Sequence, residues 1–270
     1  MNKMDGKNAK TKRFLLKLSG EALTGKKKTG YDDDFIEGLV EEIRKIVMNV
    51  DVADHVNRQI AIVIGGGNYW RGRSSENMDR VKADQIGMLA TVMNCIYVAD
   101  KFQNAGVGTR IMTPFACGSM TELFSKDKAL EALNHNEIVF FAGGTGHPYF
   151  STDMATALMA IEIEADAILA GKSIDGVYDS DPNINPNAKK YSVMEMKDIV
   201  NQQLGVIDLA AAVLSMENHM PMYLFGLDHA NCILDAVDSY EKLMDLPVIT
   251  AESVEENSDQ FIKFGTFIKA

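Results

Sequence analysis

Two stretches of this sequence gather glycine, lysine and arginine at spacings that suit phosphate chemistry. In the first, Gly20-Glu-Ala-Leu-Thr-Gly25-Lys26-Lys27 comes within one residue of the phosphate-loop pattern G-x-x-x-x-G-K-[ST], with Lys27 where a magnesium-binding hydroxyl belongs. In the second, Gly65, Gly66 and Gly67 follow the apolar run "IAIVI" and lead through Asn68 to Arg71. Glycines let backbone N–H groups come close to a phosphate, and a following helix offers its positive end. Three in succession beside an arginine favour an anion cradle over a plain tight turn. The dinucleotide pattern G-x-G-x-x-G fails, because Trp70 stands where the third glycine belongs.

Two further loops carry the same signature. In "GGTGHPYFSTD" (143–153), Thr152 or Asp153 suits the N-cap of the helical pattern that follows. Capping leaves Gly143, Gly144, Thr145, Gly146, Tyr149 and Phe150 unexplained, which points to a binding loop. The segment "GKSIDGVYDSDPNINP" holds Lys172, Asp175, Asp179 and Asp181, and its Asp-Gly and Asp-Pro dipeptides by themselves read as a hairpin with solvated charges. These surroundings decide against a P-loop enzyme, which needs a hydroxyl after its lysine and an aspartate closing a second apolar strand to hold magnesium. "IAIVI" and "EIVFF" both run into small residues instead. Lys26, Lys27 and Lys28 become a solvated run before a helix starting near Asp32. The five histidines form no triad or HExxH spacing and there is no G-x-S-x-G, so hydrolase and zinc-enzyme readings are weak.

Such loops need a frame. Apolar runs at 13–18, 60–65, 109–113, 137–143, 167–171, 222–226 and 248–250 read as buried strands. Amphipathic segments lie between them, such as "DDFIEGLVEEIRKIVMNV", in which Phe35, Leu39, Ile43, Ile46 and Val47 recur at helical spacing. The alternation predicts an α/β fold with a mostly parallel central sheet and helices on both faces, and ligands of such folds collect at the carboxyl ends of the strands. Without a Pro/Ser linker or an internal repeat, the 270 residues read as a mobile tail over 1–12 and a single domain over 13–270. The hydrophobic fraction of 46% suits a soluble globular chain. With 27 basic against 38 acidic residues, a net charge of −11, binding to nucleic acid or to an anionic membrane is not expected. Cys95, Cys117 and Cys232 read as reduced thiols of a cytoplasmic protein, and neither a secretory signal nor a membrane-spanning run is found.

Taken together, "KLSGEAL", "VIGGGNYWRG", "DQIGMLATVMN", "GGTGHPYFSTD", "IEIEADAILAGKSIDGVYDSDP" and "GVIDLAA" resemble the successive motifs of the bacterial UMP kinases of the amino acid kinase superfamily, and "GTFI" (265–268) resembles their closing strand. The resemblance implies a three-layer αβα sandwich, unrelated to P-loop kinases, with an acceptor lobe over about 13–160 and an ATP lobe over about 161–270. It implies phosphoryl transfer from ATP to UMP with Mg2+, in pyrimidine nucleotide synthesis. By resemblance, Lys17, Leu18, Ser19 and Gly20 meet the ATP phosphates, Gly67 and Arg71 line the phosphate site, and Lys172, Tyr178 and Asp181 lie on the ATP side. Gly66, Asp84 and the loop Thr145, Gly146, His147, Pro148, Tyr149, Phe150, Ser151 and Thr152 would bind UMP, with Asp84 on the ribose. Lys17, Asp153 and Asp208 match the residues needed for activity, no side chain being implied as a dedicated metal ligand. A homohexamer and inhibition by UTP are implied as well.

The chain departs from that pattern in places. Segments 49–59 and 238–265 are longer than usual, and Ala99 and Gln103 stand where family members often carry Arg and His residues linked with GTP activation, so GTP activation is not expected. On residues alone, Met88, Val92, Cys95 and Ala99 form a core stripe, part of which the resemblance puts at a subunit interface. The competing readings are a superfamily member phosphorylating a carboxylate, and a nucleotide sensor that has lost turnover.

Overall fold

A computed structural model describes residues 11–49, 56–70 and 78–270. Seven strands run parallel in the central sheet: β1 (Thr11–Leu18), β2 (Asn57–Ile64), β3 (Thr109–Thr113), β4 (Glu122–Leu123), β5 (Ile138–Phe141), β6 (Ala167–Lys172) and, past a short antiparallel ribbon of β7 (Val177–Tyr178) and β8 (Lys190–Tyr191) and a late edge strand β9 (Val193–Glu195), β10 (Met222–Gly226). The last strand, β11 (Thr266–Lys269), runs antiparallel to β10 and parallel to β9, giving the order β4-β3-β5-β2-β1-β6-β10-β11-β9. Of the expected strands, 248–250 is not one: Val248 is exposed and the segment leads into the capping box at Thr250. Two apolar residues, Val248 and Ile249, are too few to mark a strand when the next residue, Thr250, can cap a helix.

Two helical layers cover the sheet. Residues of β1 alternate between them: Phe14, Leu16 and Leu18 face a core shared with α1 (Asp33–Val47), α2 (Arg80–Asn104) and α7 (Cys232–Met244). Leu15 faces the opposite core, shared with α3 (Lys126–Asn134), α4 (Thr152–Glu162), α5 (Met196–Gln202) and α6 (Leu209–Glu217). Burial on both faces explains why the strand reads as an unbroken apolar run. The long C-terminal segment adds α8 (Ala251–Glu256) and buries Val254 and Phe261 in the first of these cores. Strand β1 begins at Thr11, two residues before the expected start of the domain at residue 13, and residues 1–10 lie outside those described. Cys95 and Cys232 are buried and Cys117 half-buried, all as free thiols. Among the described residues no helix is long and apolar enough to cross a membrane.

Chain order sets where a ligand can sit. After β1 the chain crosses on one face through α1 to β2, whereas after β5 it crosses on the other through α4 to β6, back beside β1. The two connections leave neighbouring strands on opposite faces, which opens a crevice at their carboxyl ends.

One polar contact holds the first layer together. Buried Glu42 of α1 accepts the N–H of Asn231 at 2.7 Å and of Ile233 at 2.9 Å, capping α7, whose own N-cap residue Asn231 makes no side-chain cap bond. Burial pushes the Glu42 carboxyl pKa up, and the backbone donors pull it back. Glu42→Ala is expected to lower the unfolding free energy by about 2 kcal/mol in urea titrations, the scale of charge-assisted hydrogen bonds lost from a buried site, with Glu42→Gln costing less. A loss below about 0.5 kcal/mol would show that solvent caps the helix equally well.

Candidate active site

The alternation along β1 fixes the central charge. Lys17 shares the face of Leu15, so its side chain leaves the sheet toward α4. Its Nζ lies 3.1 Å from Oδ1 of Asp153, in the first turn of α4, and Lys172 Nζ, at the end of the neighbouring β6, lies 3.7 Å from Oδ2. Lys172 also donates to the carbonyl of Val206, and the N–H of Asp208 donates to Asp153 at 3.4 Å. Asp208 is the N-cap of α6, accepting from Ala210 at 3.1 Å and Ala211 at 3.4 Å. Two ammonium groups around one carboxylate leave a net positive charge in a chain that is strongly acidic. Burial works to raise the Asp153 pKa, but the charges of Lys17 and Lys172 outweigh it and hold the carboxyl below its ordinary value. Burial depresses the pKa of Lys172, partly offset by Asp153. An anion arriving here would replace Asp153 as partner of either lysine, and the cluster can therefore hold a polyphosphate and spread its charge.

Glycines bring the backbone up to this cluster. The N–H of Gly65 donates to the carbonyl of Leu18 at 3.0 Å, so β1 and β2 turn out of the sheet together. A Cβ on Gly20 would stand 2.2 Å from the Gly65 carbonyl oxygen, which is why only glycine fits. Gly66 packs as tightly on α2, where a Cβ would meet the Gly87 carbonyl oxygen at 2.9 Å. Leu18 is wholly buried, so only its backbone can serve a ligand, and Ser19 precedes a 3-10 turn over Gly20–Thr24 without a side-chain cap bond. Lys26, Lys27 and Lys28 are exposed, as expected of a solvated run and not of a P-loop lysine. Arg71 lies outside the described residues.

A cleft of about 160 Å3 opens beside the cradle, lined by Gly66, Trp70, Arg80, Asp84, Gly87, Thr91, Gly144, Thr145, Phe150, Ser151 and Thr152. Asp84, on the first turns of α2, accepts from Arg80 Nε and from the Tyr149 N–H, both at 2.8 Å on Oδ2. Tyr149 has a left-handed φ of 72°, unfavourable for a residue with a side chain. Its bond to Asp84 and the Arg80 guanidinium 5.4 Å from its ring centroid hold it there. His147 and Pro148 lie on the outer turn of this loop, where the His147 N–H and the Thr145 hydroxyl are 3.3 Å apart. Ser151 caps α4, accepting from Met154 at 3.4 Å, where the sequence pointed to Thr152 or Asp153. That shift of one residue leaves Asp153 free to reach the lysines. A second cleft, of about 390 Å3, adjoins Ser151, Asp153 and Asp208.

The segment after β6 forms the ribbon β7–β8. Tyr178 donates to Asp175 at 2.7 Å, and burial with that bond pushes its hydroxyl pKa up to about 12. Asp181 is exposed and accepts from the Asn183 N–H at 2.9 Å, closing a local turn. The structure thus brings Lys17, Asp153, Lys172 and Asp208 into one cluster, and Gly66, Asp84 and Thr145–Thr152 around one cleft. Tyr178 and Asp181 stand on the ribbon, with no direct bond to the cluster among the described contacts. Missed in the sequence were Arg80 and Thr91. Arg80 had a signal, an arginine four residues before Asp84 on a helix; Thr91 had none.

Comparisons with known proteins agree with this geometry. A profile of the amino acid kinase family matches residues 12–226. A uridylate kinase of Pediococcus pentosaceus is 46% identical over 231 residues, covering 84% of this chain and 93% of that protein. The structure is similar to those of UMP kinase from Ureaplasma parvum (TM-score 0.81, 32% identity, 97% of this chain and 100% of that one) and from Bacillus anthracis (TM-score 0.77, 32% identity, 96% of each). With the family profile spanning the strands and loops that build the cluster, the chain belongs to the amino acid kinase family and groups there with the bacterial UMP kinases.

Proposed function

We propose that the protein transfers the γ-phosphoryl group of ATP to UMP, giving UDP and ADP, as a cytoplasmic enzyme of pyrimidine nucleotide synthesis. One observation carries this reading: the Lys17–Asp153–Lys172 cluster stands at the carboxyl ends of β1 and β6, with the glycine cradle and the Asp84 cleft alongside. The first half of the sheet, from β1 to β5, would hold the acceptor, and the half from β6 onward would hold ATP.

The acceptor is a phosphate and already a nucleophile, so the protein's task is to align two anions and offset their repulsion. Lys17 and Lys172 supply charge and Gly20, Gly66 and Gly67 supply backbone donors, and the motif resemblance assigns Arg71 to the phosphates as well. Asp153 keeps both ammonium groups oriented until phosphates replace it. A carboxylate held ionised by two lysines is a poor proton acceptor at neutral pH, which fits a reaction without a general base. Among the described residues no group of three or more acidic, histidine or cysteine side chains gathers as a metal cage. The residues fit a Mg2+ carried largely by nucleotide phosphates, which Asp153 and Asp208 would face; bound there, it would neutralise charge on the transferring group.

Asp84 gives the acceptor its identity. It suits ribose hydroxyls, which a carboxylate substrate such as glutamate or carbamate lacks, and this argues against the carboxylate kinases. Lys17, Asp153 and Asp208 are all in place, which argues against a sensor without turnover. Helix α2 supports the oligomer reading: Val92, Cys95 and Ala99 are core, but the adjacent stripe Leu89, Met93 and Ile96 is 53%, 49% and 37% exposed. An apolar stripe left to solvent on a long helix marks a subunit contact, in keeping with a homohexamer. Ala99 is buried and Gln103 bonds Thr109 at 2.8 Å, so neither offers charge to a GTP effector.

Three outcomes test these assignments. In a coupled assay UMP is expected to be the preferred acceptor over CMP, dUMP, glutamate and carbamate, with UTP competing against UMP; Asp84→Asn should raise KM for UMP more than KM for ATP. Equal effects on both constants, or turnover of a carboxylate, would count against the assignment. Lys17→Ala is expected to lower kcat about a hundredfold or more and Lys26→Ala to change it less than about threefold, and the reverse would restore the P-loop reading. Light scattering should give a hexamer that the pair Leu89→Glu and Met93→Glu breaks into smaller species; an unchanged mass would move the interface elsewhere.

A further inference from the structure

The mechanism uses the outward face of the triple-glycine loop, and its inward face carries a separate device. A loop that turns its N–H groups out toward phosphates turns carbonyls inward, and each buried carbonyl needs a donor. The Gly66 carbonyl accepts from Tyr69 at 3.1 Å and from Trp70 at 2.9 Å, within its own turn. The Gly65 carbonyl instead accepts from Asn94 Nδ2, on α2, at 2.7 Å. Asn94 is 0% exposed and faces Asn68, 3% exposed, in a reciprocal amide pair: Asn94 Nδ2 to Asn68 Oδ1 at 2.8 Å, and Asn68 Nδ2 to Asn94 Oδ1 at 2.9 Å. Asn68 Nδ2 also reaches the Gly30 carbonyl at 3.4 Å, and the Tyr31 hydroxyl donates to Asn94 Oδ1 at 3.1 Å. Both N–H groups of each amide are therefore engaged, and the pair has a single arrangement.

Helix α2 is the common support. Asp84, Gly87, Thr91 and Asn94 fall within about 80° of arc on an α-helix. Asp84 holds the Tyr149 N–H, Gly87 abuts Gly66, Thr91 Oγ1 accepts the Gly143 N–H at 2.8 Å, and Asn94 holds Gly65. One helix face thus carries both glycine loops and the acceptor carboxylate.

We propose that Asn94, through its pair with Asn68, is a positioning residue for phosphoryl transfer: it fixes the height of the Gly65–Gly67 backbone against Lys17, so that the N–H groups of Gly66 and Gly67 meet both phosphates at transfer distance. This rests on the kinase reading of the site, but the pair's effect on the loop does not. Removing Asn94 leaves the Gly65 carbonyl to find another donor, and the loop shifts to do so. A displacement of about 1 Å at a phosphate contact costs about a hundredfold in rate when alignment is the main catalytic device.

The test is a kinetic double-mutant cycle on the full chain with Asn94→Ala, Asn68→Ala and the double variant, read together with hydrogen exchange of the peptide carrying residues 60–70. Each single change is expected to lower kcat at least tenfold per folded enzyme with KM for UMP and ATP changed less than about threefold, and the double variant to match the worse single. Amides of residues 65–67 should exchange faster while those of β2 do not. A kcat within twofold of the parent, or additive losses in the double variant, would overturn the proposal and leave the pair a packing feature. Should Asn94→Ala not fold, Asn68→Ala alone decides, since it frees the partner and keeps the Asn94 bond to Gly65. If the parent fails to phosphorylate UMP the function is wrong, and unchanged exchange at 65–67 sinks the positioning claim by itself.

Discussion

The ion pair between Lys17 and Asp153 ties the layers of this protein to its chemistry. Charge buried without a partner costs several kcal/mol, and β1 is covered on both faces, so a lysine near its end is tolerated only where a carboxylate meets it. That carboxylate comes from the first turn of α4, on the crossover from β5 to β6, and the pair therefore fixes where that crossover lands. Lys172 joins from β6, and Asp208 approaches from α6. The second lysine leaves Asp153 shared between two ammonium groups, so that neither lysine depends on it alone. Stability and function pull in opposite directions here, since the ligand must take over the charges that Asp153 holds.

The backbone contact between Gly20 and Gly65 imposes a second constraint. Two loops this close leave no room for a side chain on either inner surface, and their N–H groups are aimed by backbone geometry rather than by rotamers. Rigidity suits transfer between two anions, where alignment and neutralisation supply most of the rate. Behind the loops, α2 serves both halves of the task. One of its faces carries Asp84, Thr91 and Asn94, another packs into the core through Val92, Cys95 and Ala99, and Leu89, Met93 and Ile96 are left outward.

Much of the fold was legible because buried parallel strands and amphipathic helices write distinct periods into a sequence. The runs at 13–18, 60–65, 109–113, 137–143, 167–171 and 222–226 each gave a strand of the central sheet. The run 248–250 misled because hydrophobicity without length carries no period. The α4 cap fell on Ser151 because three adjacent residues all suit an N-cap, and only the loop's path selects among them. Glu42 as the cap of α7 was invisible, since its partners lie about 190 residues away.

By itself the sequence determined the strand pattern and marked the candidate residues for phosphate: the cradle was read from three successive glycines, and Lys17 and Asp84 from the resemblance of their motifs to those of the UMP kinases. Only the tertiary structure decided the pairing. Lys17 with Asp153, Asp84 with the Tyr149 backbone, and Asn94 with Gly65 join segments between 29 and 136 residues apart, distances at which sequence spacing carries no geometric information. Strand register and the direction of the crossovers bring these segments together, and both are set by burial of the whole sheet rather than by any stretch of chain.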